Sequence, residues 1–224
     1  MNIFITQLAE NPRYFFLVTL AVIPSICLHE YFHAQVALWC GDDTAARNGH
    51  LTLNPLKQMG WISLIMFFFI GIAWGQVPVD PRRLTRKQDA LVSFAGPFMN
   101  LVLAAGAWIA CIFLPRFVEA GVIPELLFLY IFVLGMYNIV LFVINMLPIP
   151  GLDGSRLLFL LAEAIRRKPG LDGWNVLNLF FNFGSVKSEF VKGAMLFLML
   201  GVLVLFNYIF YAAEWIMSFA VKLW

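Results

Sequence analysis

Four stretches of this chain are apolar over the length a helix needs to cross hydrocarbon, about 20 residues. They run from Tyr14 to about Trp39, from Ala90 to Leu114, from Glu125 to Pro148 and from Gly193 to Phe219. Within a bilayer every backbone polar group must be satisfied inside its own segment, so each stretch is expected to be a helix. Composition points the same way. Apolar residues make up 62% of the 224 and charged residues 12%, against about 45–50% and about 25% in soluble domains. A soluble monomer cannot hide that much apolar surface. Disorder, a coiled coil and a secreted disulfide scaffold are excluded on the same grounds. Cys27, Cys40 and Cys111 are odd in number and form no C-x-x-C pair. The net charge of +2, with basic residues scattered between apolar runs, argues against a nucleic-acid partner.

A fifth apolar run, Trp61 to Trp74, is too short to span and is bounded by Gly60 and Gly75. It is expected to re-enter or to form a short buried helix. The N-terminus lacks the basic start and the cleavage pattern of a signal peptide, so the first run is expected to stay as a helix. If the four long runs span and the fifth does not, 41–89 and 151–192 share one side and carry twelve Lys and Arg residues. The opposite side carries Arg13, Arg116 and Lys222. The positive-inside rule then puts the two polar segments in the cytoplasm. The expected fold is an all-α polytopic membrane protein. It has about four spanning helices, the short re-entrant or buried segment, and a small β-ribbon or strand edge on the cytoplasmic side. It forms one domain over 1–224, with its core in 14–156 and a connector and helix in 157–224. Within the connector, Lys168 to Lys192 reads as an interfacial helix or a structured link.

The first run contains His29-Glu30-Tyr31-Phe32-His33, an H-E-x-x-H pattern on a helix. Positions i and i+4 stand one above the other, so two imidazoles can reach one metal ion. Glu30, adjacent to the first ligand, can act on water rather than on the metal. Two histidines and a glutamate in a lipid-embedded helix are costly unless they are paired or coordinating. A catalytic zinc site usually takes three protein ligands. His50 is a possible third. Asp153 is the better candidate, in Asn145-Met146-Leu147-Pro148-Ile149-Pro150-Gly151-Leu152-Asp153-Gly154. The third run ends there, on the side where His33 lies. Its prolines stop the helix and its glycines let the chain turn back.

These motifs resemble the site-2 protease family of intramembrane zinc metalloproteases. H-E-x-x-H in an early helix and N-x-L-P-x-P-x-L-D-G a hundred residues on are its marks. Ala95-Gly96-Pro97-Phe98-Met99-Asn100 is similar to the family's A-G-P-x-x-N segment. The stretches 49–55 and 75–82 resemble a compact prokaryotic form without a PDZ domain. The resemblance implies one zinc ion per chain on His29, His33 and Asp153, with Glu30 as general base and then proton donor. It implies that Asn100 is a catalytic group, holding substrate or stabilising the oxyanion, and that Asn145 supports the site from the third helix. Asn138, seven residues before Asn145, reads as packing inside the bundle. The implied activity is hydrolysis of peptide bonds in or near transmembrane segments of other membrane proteins. The expected setting is a prokaryotic cell membrane, with the active site open to the cytoplasm. A substrate strand could add to the edge at 75–82. The alternative is a catalytically silent scaffold or chaperone that keeps the metalloprotease fold.

Overall fold

The computed structural model describes residues 3–149, 151–166 and 189–223. The longer helices among them are α1 (Pro12–Trp39), α2 (Gly60–Ile70), α3 (Arg86–Phe113), α4 (Glu125–Asn145), α5 (Asp153–Arg166) and α6 (Glu189–Lys222). Three of these, α1, α3 and α4, are long and apolar enough to cross a membrane, with mean hydropathies of 1.7, 1.7 and 2.5. The fourth apolar stretch lies within the 34 residues of α6.

Helix α3 turns small and polar residues inward and large apolar ones outward, while an apolar cluster that includes Leu17, Val22, Ile26, Phe67 and Val133 packs between the other helices. On α3, Val92, Gly96, Asn100, Ala104 and Ala107 are buried, while Leu91, Phe98, Leu101, Ile109 and Phe113 are exposed. Helices in lipid gain nothing by hiding leucine from hydrocarbon. They gain by close backbone approach and by pairing polar groups. The ends of the helices fix their directions. Arg13 on α1 pairs with Glu125 on α4 at 3.7 Å, and the hydroxyls of Tyr14 and Tyr137 meet at 3.0 Å. The two helices therefore start at one end. The N-terminus of α3 sits where α1 finishes, since Gln88 Nε2 donates to the carbonyl of Cys40 at 3.1 Å. Thr85 caps α3 reciprocally with Gln88, which starts the helix four residues ahead of the apolar run. Pro24 inside α1 offers no N–H to Leu20, and the Tyr130 hydroxyl donates to that carbonyl at 3.5 Å.

The Trp61 segment goes in and comes back. Helix α2 has 11 residues, about 17 Å of rise, roughly half the thickness of hydrocarbon. It ends at Gly71 with φ of +83°, a left-handed turn that glycine accepts without strain. The chain then runs back along α2. The N–H of Trp74 donates to Ser63 Oγ at 2.9 Å, and that hydroxyl donates to the Trp74 carbonyl at 2.6 Å. The N–H of Gln76 reaches the carbonyl of Gln58 at 2.9 Å, so the exit of the loop is hydrogen-bonded to its entrance. Next, the N–H of Asp80 donates to Asp42 Oδ2 at 2.7 Å, just beyond the end of α1. Burial would raise the Asp42 carboxyl, but donors from Thr44 and Asp80 hold it below the usual carboxylate range.

The β-ribbon expected at Gly75 to Arg82 is not seen. No strand occurs among the described residues. Isolated partners, not a neighbouring strand, take up backbone groups along this extended stretch: Ser63 on Trp74 just before it, the Gln58 carbonyl on Gln76, and Asp42 on Asp80. Pro78 and Pro81 remove two of its donors. The proposed interfacial helix at Lys168 to Lys192 falls largely outside the described residues, of which only its last few are part.

The hydrogen-bonded entrance and exit carry a topological prediction. Single cysteines replacing Lys57 and Lys87 should be labelled by an impermeant thiol reagent from the same face of the membrane. Labelling from opposite faces would mean that α2 crosses.

Candidate metal centre

Three side chains from two helices converge about two to three turns inside the end of α1. His29 and His33 share one face of α1, four residues apart. Asp153 opens α5, after the turn that follows α4. His29 Nε2 lies 3.1 Å from Asp153 Oδ2, and His33 Nε2 lies 3.3 Å from Asp153 Oδ1. The two Nε2 atoms are 3.0 Å apart. All three residues offer a ligand atom within one small cluster. His29 and His33 are buried, with 5% and 8% exposure.

Both outer nitrogens are occupied. His33 Nδ1–H donates to the carbonyl of Val92 at 2.6 Å. Pro97 opens the α3 ladder next to that carbonyl, because it has no N–H for Ser93. His29 Nδ1 stands 2.6 Å from Asn100 Oδ1, an acceptor, so this nitrogen also carries a proton. With a proton on each Nδ1, both Nε2 atoms present lone pairs to one point, beside a carboxylate. Two lone pairs at 3.0 Å repel unless a cation lies between them. Ligands at about 2.0–2.1 Å from a tetrahedral zinc stand about 3.4 Å apart, close to the three spacings here. The donor set fits a zinc ion.

Two glycines make room. A Cβ on Gly96 would overlap Nε2 of both His33 and His29. It would crowd the face on which both nitrogens present their lone pairs. A Cβ on Gly75 would overlap the Glu30 side chain, so the returning chain passes directly over that carboxylate. Glu30 is 7% exposed. With the three ligand residues it lines a cavity of about 560 Å³ between residues 71–79 on one side and Val140, Leu141 and Ile144 of α4 on the other.

The turn before Asp153 is also set by glycines. Gly151 has φ of +94°, so a residue with a Cβ there would be strained. A Cβ on Gly154 would overlap the carbonyl of Met146, which lets α5 start hard against the end of α4. Ser155 Oγ donates to the Leu152 carbonyl at 2.7 Å. One turn on, Arg156 makes a two-pronged bond to Asp89 on α3, at 2.8 and 3.0 Å. That pair ties the ligand-bearing helix to the bundle.

Comparison with known proteins agrees with this geometry. Residues 116–186 match the model of peptidase family M50. The protein named "Putative zinc metalloprotease Rip2" from Mycolicibacterium smegmatis is 32% identical over 208 residues, 80% of this chain and 78% of its own length. The one named YwhC from Bacillus subtilis is 36% identical over 151 residues, 63% of this chain and 67% of its own. The chain belongs to peptidase family M50. It is a zinc metalloprotease of the site-2 protease type, and the family implies action within the membrane. No solved structure matches it.

Within this M50 peptidase, the structure brings His29, Glu30, His33 and Asp153 to one cavity. Asn100 also reaches it but is wholly buried, with Oδ1 on His29 and Nδ2 donating to Asn138 Oδ1 at 2.9 Å. It stands behind a ligand. Asn145 lines the cavity from the last turn of α4 and donates to the Leu141 carbonyl at 3.0 Å. His50 is not in the cluster. Its ring faces Gln58 at 3.4 Å, and Gln58 Nε2 holds the carbonyls of His50 and Thr52. Sequence reasoning passed over the Asp89–Arg156 pair, which no motif spacing announces, and over the room that Gly96 leaves beside the two histidines.

Gly96→Ala should leave the helical bundle intact, because the atoms met are the mobile ends of two side chains. Bound zinc, measured after purification, should fall well below one per chain. A full complement of zinc in that variant would show that the ion does not sit between His29, His33 and α3.

Proposed function

We propose that His29 and His33, through Nε2, and Asp153, through its carboxylate, hold one zinc ion, and that Glu30 is the general base for peptide hydrolysis. The observation that carries this is the pair of Nε2 lone pairs facing one carboxylate under a glycine at Gly96. Zinc bound there supplies Lewis-acid polarisation of the scissile carbonyl and brings the pKa of water to about 7. Glu30 leaves α1 about 100° round from His29 and lies under the returning chain. It takes the proton of the attacking water and gives it to the leaving amine. Asn100 acts on His29, keeping its Nε2 turned to the ion. Its role as an oxyanion donor is left with one amide hydrogen, since the other serves Asn138. Asn145 stands at the cavity wall as a second support or substrate contact.

The substrate is a transmembrane helix of another membrane protein, unwound at the site. The returning stretch beside Glu30 suits an extended partner. Val77 and Val79 line the cavity, and among the described residues no backbone group pairs with theirs. A peptide laid along them would gain main-chain bonds and pass over Glu30. The protein is one domain with α6 as a fourth span, and the twelve-to-three distribution of basic residues turns the cavity to the cytoplasm of a prokaryotic cell.

Two substitutions separate base from ligand. Glu30→Gln should keep zinc and lower cleavage of a single-pass membrane substrate by about 10²–10⁴-fold. Asp153→Ala should lose zinc and cleavage together. Zinc loss in Glu30→Gln, or full zinc in Asp153→Ala, would reassign the two carboxylates.

A further inference from the structure

A line of buried polar groups crosses three helices and ends on a metal ligand. Ser25 lies one turn before His29 on α1, and its Oγ is 2.6 Å from the carbonyl of Ala21. Asn138 Nδ2 on α4 lies 2.8 Å from Ser25 Oγ and 2.8 Å from the carbonyl of Leu134. Asn138 Oδ1 faces Asn100 Nδ2 at 2.9 Å, and Asn100 Oδ1 faces His29 Nδ1 at 2.6 Å. Ser25, Asn100 and Asn138 are each 0% exposed.

The direction of every bond in this line follows from its far end. A carbonyl oxygen only accepts. The single hydroxyl proton of Ser25 goes to Ala21, so Ser25 accepts from Asn138. The amide end of Asn138 next to Leu134 must also be the NH₂. Its oxygen therefore turns to Asn100. Asn100 must give that oxygen its NH₂ and turn its own oxygen to His29. His29 must then carry its proton on Nδ1, which leaves the lone pair of Nε2 facing the metal position. Two helix carbonyls, that of Ala21 two turns before His29 on α1 and that of Leu134 on α4, thus set the tautomer of the histidine through side chains of all three helices.

We propose that Asn138 is a positioning residue of the metal centre, acting through the amide of Asn100 to hold His29 in the tautomer that binds zinc. The proposal rests on the reading of His29 as a ligand. Without Asn138, nothing in the line keeps Asn100 from turning its amide round. The NH₂ would then face Nδ1, the imidazole proton would move to Nε2, and coordination would be blocked. A packing role predicts something else: polar contacts between helices in lipid add stability without preference for which amide end faces which neighbour.

The experiment is zinc titration against a chelator on the purified full chain in detergent, with thermal unfolding measured on the metal-free protein. Asn138→Leu should weaken zinc binding about 10–100-fold, the usual loss when a group behind a metal ligand is removed. Asn138→Asp keeps an oxygen facing Asn100 and should bind zinc within a few-fold of the parent, even where burial of a carboxyl lowers its unfolding temperature. In an Asn100→Ala background, Asn138→Leu should cause no further loss, because the path to His29 is already cut. Independent, additive losses in the double variant would overturn the proposal. So would zinc affinity that tracks unfolding temperature across Asn138→Leu and Asn138→Asp. His29→Ala is the control for the underlying reading. If it retains zinc, the metal assignment itself fails. If it loses zinc while Asn138→Leu binds normally, only the relay fails.

Discussion

An unpaired polar group in hydrocarbon is expensive, and this molecule is arranged around that cost. His29, Glu30, His33, Asn100 and Asn138 are all buried among helices that face lipid with leucine and phenylalanine. The two histidines and two asparagines are tolerable because another group accepts or donates to each, and Glu30 opens onto the cavity. His33 has Val92, His29 has Asn100, and Asn100 has Asn138. What remains unbalanced is the meeting of two Nε2 lone pairs with a carboxylate, a donor set that a divalent cation would satisfy. The same logic lets α1, α3 and α4 pack closely without a water-driven hydrophobic core between them.

Close approach supplies the rest of the site. Gly96 allows α3 to pass against both imidazoles, Gly75 allows the returning chain to cross Glu30, and Gly154 allows α5 to begin against the end of α4. The first two contacts bring backbone against a functional side chain and the third sets backbone against backbone, so the site is shaped by main chain more than by bulky neighbours. The loop around α2 closes on itself through Gln58 and Gln76 and is anchored at Asp42. It thereby forms a fixed wall opposite α4, with backbone groups left over for a substrate.

Much of this was legible in the chain. The spacing of His29 and His33 states a metal pair, because helical periodicity is local. The apolar runs mark the helices for the same reason. Asp153 was readable from its proline and glycine surroundings and from the side of the membrane on which the third run ends. Other features depended on tertiary pairing and were not readable. The space that Gly96 leaves was not readable, because only the folded structure shows which atoms its missing Cβ would touch. Asn138 looked like packing because its partners lie 38 and 113 residues away. The expected ribbon is absent because Ser63, the Gln58 carbonyl and Asp42 stand where a second strand would. The start of α3 was placed late because apolar content was followed, while Thr85 and Gln88 cap the helix in the polar stretch before it.

The central claim is the ligand set, and the most direct measurement is X-ray absorption at the zinc edge on the purified protein. Two imidazole nitrogens and carboxylate or water oxygens should appear together at about 2.0–2.1 Å. A sulfur shell at about 2.3 Å, or a fit that requires three imidazoles, would contradict the assignment of His29, His33 and Asp153.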